Sequence, residues 1–453
     1  MSTSRRPPAT RLVNCTQQAN NASCLLRNVY LDAAGRLVAV AHEHASVDRS
    51  LDSMPPELSA AGIGSHRWFL PRRKLATMAA ASATQQKGVT LFFECWWSHN
   101  VGHALYDGLY PAFVGLLRLG VWLGHDGIQP VHLLVQYDDR FGPPTPLFTA
   151  FLNSFSNGAG VEVMPRLAHS NKKVSHERVV RRYDWFVVGS THMGQRSMNA
   201  DLTLPGGEFA LPPFRDRAWS VFRLPPPVGT SGPIQLRVFD NKRYDSPSLS
   251  AIDTTLAAIK RRSVDGHRPV EVEFVRWRKY PTMREQLALV RATDVYVSGP
   301  GTGLIFSTFL ADGSVVVNLG TPTTHGKPLV SYMEEYLVAS MRGRITGLFY
   351  DRCRGTKFLA SLQSNRLLPL LLRAVASVGR GTGDNHSPVA RAFVALFRGR
   401  PTPPRADAST WPCDWPELFI YADRHDACDV MLEAYGIAAS TLRAHRNAFG
   451  ITC

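Results

Sequence analysis

Two stretches of the chain alternate short, continuously apolar runs with longer segments whose apolar positions recur every three or four residues. In the first, from about residue 66 to 222, "VTLFFE", "VHLLVQY" and "DWFVVGS" predict strands, while Val101 to Leu119 and "PLFTAFLNSF" predict helices. In the second, residues 234 to 380, "IQLRVF", "VEVEFVRW", "DVYVSG" and "SVVVNLG" predict strands. They alternate with the helices predicted for "SLSAIDTTLAAIKRR", "TMREQLALVRA" and "GLIFSTFL". Strands that are apolar throughout and separated by helices belong to parallel sheets covered on both faces. Between the two arrays, "RLPPPVGTSGP" (residues 223–233) is a linker, because its prolines and glycines suit neither element. Residues 1–65 form a preface in which "NVYLDAAGRLVAVA" predicts a two-stranded hairpin, followed by a Ser/Pro-rich connector. Residues 381–453 predict loops and, from 413, a helical tail.

The fold expected is therefore α/β, with two Rossmann-like domains: one at 66–222 and one at 234–380. Ligands of such domains lie at the carboxyl ends of the strands. A length of 453 residues accommodates two domains, and 44% hydrophobic with 19% charged residues is the composition of a core-forming globular chain. The formal charge of +15 points to anionic partners. No long Lys/Arg block and no zinc-finger, RNA-recognition or helix-turn-helix signature is present, so nucleic acid is not expected.

No run of eighteen apolar residues occurs, so no membrane span is expected. The opening "MSTSRRPPATRLVN" is basic without an apolar core, which suits a cytoplasmic chain or one lacking its leader. Cys15 and Cys24, in "CTQQANNASC", close a loop short enough for a disulfide, and Asn14 and Asn21 each begin an N-x-Ser/Thr triplet. Two free thiols and chance triplets read the same way, and the compartment stays open. With seven cysteines, at least one is unpaired within the chain.

Two segments carry chemistry. In "DVYVSGPGTGLIF" a strand runs into Gly299, Gly301 and Gly303 and then a helix, the arrangement in which backbone N–H groups and a helix start approach a phosphate. Thr302 adds a hydroxyl, and Lys242 and Arg243 leave the strand "IQLRVF" side by side, positioned for the same anion. A tight strand-to-helix connection and a solvated turn would use the same residues. Neither loop matches the Walker-type phosphate loop or the dinucleotide fingerprint. The second segment is "WWSHNVGHALYDGLYPAF". Asn100, His103 and Asp107 stand three and four residues apart, within about 60° on a helix. Leu105, Leu109, Ala112, Leu116 and Leu119 trace its buried stripe, and Pro111 predicts a kink, since it has no amide to bond Asp107. Trp96 and Trp97 offer flat apolar faces suited to sugar rings. A helix-capping histidine and core tryptophans would account for the segment equally.

"REQLALVRATDVYVSGPGTGLIFSTFLADGSVVVNLG" (Arg284 to Gly320) resembles the C-terminal signature of glycosyltransferase family 61, and "NVGHALYDGLYP" resembles its Asn-x-x-His-x-x-x-Asp/Glu-x-Leu-x-Pro signature at Asn100, His103, Asp107, Leu109 and Pro111. That family includes protein O-linked N-acetylglucosaminyltransferases and plant xylosyl- and arabinosyltransferases. The chain departs from it at Pro300, where the family has histidine, at Thr302 for alanine and at Asn318 for an acidic residue. The resemblance implies two facing Rossmann-like domains of GT-B type and inverting transfer from a nucleotide-sugar, UDP-linked, to a hydroxyl of a glycan or glycoprotein. It also implies a Golgi or ER lumen. Oligomeric state is not legible.

In that setting His103 and Asp107 are the catalytic candidates. Asn100, Lys242, Arg243, Gly301, Thr302, Gly303, Glu334 and Glu335 are the candidate donor-binding residues, the two glutamates (with His325 near them) by position alone. No metal and no cofactor beyond the donor is expected: "YDDR" lacks the D-x-D pattern, and "DRHDACD" reads as a capped helix start. A fucosyl- or pyruvyltransferase on the same architecture and an inactive nucleotide- or glycan-binding module are the alternatives.

Overall fold

The computed structural model describes residues 8–16, 23–32, 36–41, 58–59, 67–68, 72–74, 83–121, 129–137, 142–164, 179–189, 210–226, 232–261, 268–322, 328–329, 341, 344–350, 353–354, 357–358 and 361–379. The chain divides into two compact units, Met1–Arg223 and Leu224–Cys453, the division falling at the head of the Pro/Gly-rich stretch. Both are mixed α/β with parallel strands. The predicted tail, Glu334, Glu335 and His325 lie outside the described residues.

The first unit is built on one sheet. Its strands are β1 (Arg11–Cys15), β2 (Cys24–Asp32), β3 (Leu37–Ala41), β4 (Arg72–Lys74), β5 (Thr84–Cys95), β6 (Val131–Tyr137), β7 (Val161–Met164) and β8 (Val179–Val188). Their order is β4-β3-β2-β8-β5-β6-β7, with β1 paired to β2. β8, β5, β6 and β7 run parallel, and β2 joins them antiparallel along β8. The expected hairpin exists as β2 and β3. It is not a separate preface, because its apolar faces complete the sheet: Leu26 and Val29 lie in one core with Phe92, Leu134 and Phe186. A disulfide joins Cys15 to Cys24, opposite residues of β1 and β2.

Between β5 and β6 the chain makes helix α1, residues 101–118, and it is not uniform. An α-helical turn, Val101–His103, passes into a π-helical segment, Ala104–Leu109, and then into α-helix again, Tyr110–Arg118. The kink expected at Pro111 appears instead as this widened turn. Within an α-helix the proline ring would strike the carbonyl four residues back, that of Asp107; spacing the bonds five residues apart, as Tyr110 N–H to Leu105 C=O, moves that carbonyl away. Nor is the helix buried along a stripe alone. Residues 104–116 are buried on every side, which is the setting of a central helix.

Helices α2 (Pro146–Phe155) and α3 (Leu211–Val221) hold it there. Phe214 of α3 contacts the rings of Tyr106, Tyr110 and Phe113 on α1 and of Phe151 and Phe155 on α2, at centroid distances of 5.2–6.0 Å. Each such buried aromatic contributes about 1.5–3 kcal/mol. Gly115 lets α1 close onto the sheet: a Cβ there would stand 2.4 Å from Ser23 Oγ and 2.9 Å from the Gly189 carbonyl.

The second unit carries five parallel strands: β9 (Ile234–Phe239), β10 (Val270–Val275), β11 (Val295–Ser298), β12 (Val315–Asn318) and β13 (Thr346–Phe349), in the order β10-β9-β11-β12-β13. In sequence terms this is 2-1-3-4-5, a doubly wound order whose direction reverses between β9 and β11. Helices α4 (Ser246–Arg261), α5 (Met283–Arg291) and α7 (Ser364–Ser377) accompany it. After β11 the predicted helix is two short turns, α6 (Thr302–Ile305) and a 3-10 turn, Phe306–Phe309. The core consists of the inward strand residues, such as Leu236, Val297 and Val317, packed with Ile252, Leu256, Leu367 and Leu371.

Candidate functional site

In the first unit β5 ends at Cys95, and Trp96 to Asn100 turn the chain into α1. Asn100 Oδ1 caps the helix, accepting from the amides of Gly102 (3.1 Å) and His103 (3.5 Å), so this candidate donor-binding residue has a local structural role. His103 and Asp107 come together on the widened turn: His103 Nδ1 lies 2.5 Å from Asp107 Oδ2. The two ends of the pair differ in environment. The Asp107 side chain is 4% exposed and that of His103 33%. Trp97 lies against the imidazole, ring centroids 5.0 Å apart, and both tryptophans are half-buried.

Burial pushes the Asp107 carboxyl up, and the hydrogen bond and charge of His103 oppose that rise. Its second oxygen, Oδ1, is buried without a hydrogen-bond partner among the described residues. Below it, Cys95 is a buried free thiol whose pKa burial also pushes up, with the Asp107 carboxylate adding to the shift. A buried carboxylate at one nitrogen of a partly exposed imidazole orients a histidine as a proton acceptor.

In the second unit the glycine turn and the basic pair meet at the reversal point. β9 and β11 are parallel neighbours, so the loops after Phe239 and Ser298 leave the same edge. Pro300 offers its carbonyl to both Asn241 Nδ2 (3.1 Å) and Arg243 Nη1 (2.5 Å), which ties the two loops together. Gly301 makes this possible. Its φ of 108° lies in the region that favours glycine, and a Cβ there would stand 2.5 Å from Arg243 Nη1. Arg243 is thus a clasp on the turn, while Lys242 beside it is exposed. Thr302 and Gly303, both half-buried, begin α6, and the Tyr296 hydroxyl donates to the Gly303 carbonyl.

Beneath the turn an aromatic column rises. Tyr296 stacks on Phe239 at 4.1 Å, Phe239 contacts Trp277 at 4.9 Å, and Trp277 contacts Phe306 at 5.2 Å. The sequence pattern ends a strand at Trp277. It belongs to a short 3-10 turn, Trp277–Lys279, beyond β10, with exposed Arg276, Arg278 and Lys279 around it. The signal available was the run "RWRK", four residues without a carboxylate directly after a buried strand.

Among the described residues no group of three or more His, Cys, Asp or Glu side chains is arranged to hold a metal ion, and no helix is long and apolar enough to cross a membrane. No protein-family model matches the chain, and no curated protein sequence matches it.

Proposed function

We propose that the chain is an inverting glycosyltransferase that moves a sugar from a nucleotide-sugar, UDP-linked, to a hydroxyl of a glycan or glycoprotein. The observation that carries this reading is the buried Asp107 carboxylate 2.5 Å from Nδ1 of the partly exposed His103. An acceptor hydroxyl is a weak nucleophile and needs a base. With Nδ1–H donated to Asp107, His103 Nε2 takes the hydroxyl proton as the acceptor oxygen bonds the anomeric carbon. The bond from that carbon to the diphosphate breaks, and the nucleoside diphosphate leaves with its electron pair. Asp107 steadies the imidazolium without receiving the proton, and the imidazolium then returns it to solvent.

The reversal point of the second unit supports the donor half of the reading. Lys242, the remaining donors of Arg243 and the backbone at Gly301–Gly303 offer positive character where such sheets bind ligands, suited to the leaving diphosphate. The finer architecture, a GT-B arrangement of the two units, is part of the proposal. So is the compartment. A Cys15–Cys24 disulfide favours an oxidising lumen, as the family resemblance implies.

The test is a thermal-shift screen of nucleotides and nucleotide-sugars, since a ligand that binds only the folded state raises the melting point. A UDP-sugar shift that Lys242→Ala with Arg243→Ala abolishes supports the donor site. An undiminished shift in that double variant removes these residues from it, and the lack of any nucleotide response overturns the reading. Because cationic side chains neutralise the diphosphate here, excess EDTA should leave turnover intact; a loss that manganese restores would show that a metal does this work.

A further inference from the structure

Two loops leave the carboxyl edge of the second sheet side by side: β9 and β10 pair up to Phe239 and Val275, and the Asp240 amide bonds the Val275 carbonyl at 2.9 Å. Together they carry Lys242, Arg243, Arg276, Arg278 and Lys279, all exposed. No ion pair among the described residues neutralises any of the five. The carboxylates nearby do little to balance them. Asp245 is committed to the start of α4, accepting from the Ser248 amide (2.8 Å) and the Ser361 hydroxyl (2.9 Å). Glu273 is paired with Arg237, Glu285 accepts from the Thr282 amide and hydroxyl at the start of α5, and Asp240 remains. Like charges so concentrated create a local positive potential that draws in an anion.

One diphosphate group does not account for all five. Lys242 and Arg243 stand at the reversal point beside the glycine turn. The 276–279 turn stands on the far side of β9, at the end of the sheet's edge strand. Two strand spacings separate β10 from β11, roughly 10 Å, which is longer than a diphosphate, and Trp277 fills the interval, its Nε1 3.9 Å from where a Cβ on Gly303 would stand. Among these cations Trp277 shows part of its indole, its other contacts being Phe239 and Phe306. Guanidinium groups bind carboxylate, sulfate and phosphate in bidentate fashion, and an aromatic face takes the apolar side of a sugar ring.

We propose that the turn at residues 276–279 is a second anion site, which holds an acidic group of an oligosaccharide acceptor: a carboxylate, sulfate ester or phosphate ester on the sugar. The word acceptor rests on the transferase reading, whereas the binding itself does not.

Titration calorimetry with three probes tests it: a defined sulfated tetrasaccharide, its unsulfated counterpart and UDP. The triple variant Arg276→Ala, Arg278→Ala, Lys279→Ala changes exposed side chains only and should fold. It should weaken the sulfated probe at least tenfold and leave UDP within about twofold. Lys242→Ala with Arg243→Ala should do the reverse. A control, Lys260→Ala with Arg261→Ala, removes two exposed cations from the last turn of α4 and should change neither. The proposal is overturned if the triple variant binds the sulfated probe as the native chain does, if it loses UDP instead, if the unsulfated probe binds equally, or if the control loses as much. Sulfated-probe binding without any UDP binding would leave this site standing and sink the transferase reading.

Discussion

Asp107 Oδ2 lies 2.5 Å from His103 Nδ1, with the carboxylate 4% and the imidazole side chain 33% exposed. The pair spans an environment gradient: the carboxylate end is buried, and the imidazole end is partly exposed. If His103 is the base, His103→Ala and Asp107→Asn each lower kcat by about 10² or more, the usual contribution of a positioned acid–base group. A base acts in the transition state, so affinity for a nucleotide-sugar should stay within a few-fold. Full turnover in both variants would reduce the pair to a helix-start hydrogen bond.

Asp107 also predicts a trade of stability for function. Its carboxyl is pushed up by burial, the pull of His103 offsetting part of the rise. In the unfolded chain it ionises near pH 3.9. Below that pH both states keep the proton and ionisation costs nothing. As pH rises, the unfolded state ionises first, and stability falls until the folded pKa is passed. Asp107→Asn retains an acceptor for His103 without a buried charge. It should therefore melt about 2 °C or more above the native chain at pH 7, and the gain should shrink as pH falls toward 4. A variant less stable at every pH would mean that the carboxylate is worth more as an ion than its burial costs.

Gly301 predicts that the glycine turn depends on one missing side chain. Alanine there meets both an unfavourable φ of 108° and the Arg243 guanidinium, 2.5 Å from the new Cβ. The clasp on Pro300 has to open, and the cost should be about 1 kcal/mol or more. Gly301→Ala should lower the melting point and erase any UDP-dependent shift, whereas Gly120→Ala, also at positive φ but with open space around it, should only destabilise. Retained nucleotide binding in Gly301→Ala would separate the turn from the ligand.

Much of this was legible in the residues, and the omissions have physical causes. Val131–Tyr137 and Ile234–Phe239 are apolar enough throughout to announce buried parallel strands. Leu211–Val221 gave no helix signal because "LPPF" reads as a loop; prolines in the first turn lack amides that would be orphaned there anyway, so the helix tolerates them. β7 (VEVM) and β13 (TGLF) carry a glutamate and a glycine within four residues, whereas β11 and β12, equally short, are apolar enough to read as strands. His103 and Asp107 could be paired by spacing, but the burial difference that gives the pair its polarity is a product of tertiary packing, which brings Cys95 of β5 beside Asp107 and which spacing does not show. Arg243 was legible as a cation and not as a clasp, since its partner is a backbone carbonyl 57 residues away.

The π-helical segment and Pro111 yield the last expectation. In an α-helix residue i+4 sits about 40° beyond residue i. A wider turn carries more residues per revolution and moves Asp107 from beyond His103 toward the near side of it. Pro111 favours that turn, because its ring excludes the α-helical position of the Asp107 carbonyl. Pro111→Ala restores an amide and removes the ring, so Ala104–Leu109 can relax to regular α-helix. The carboxylate then shifts its position relative to the imidazole. Turnover should fall about tenfold or more, since small misplacements of catalytic groups are costly. The melting point should hold or rise with the added hydrogen bond, and nucleotide affinity should not move. The pH profile separates this from a general loosening of the helix: without its carboxylate partner His103 binds a proton less readily, so the acid limb of kcat should move to lower pH. Unchanged turnover together with an unchanged acid limb would show that the widened turn is set elsewhere, by the packing of Tyr106 and Tyr110 on Phe214.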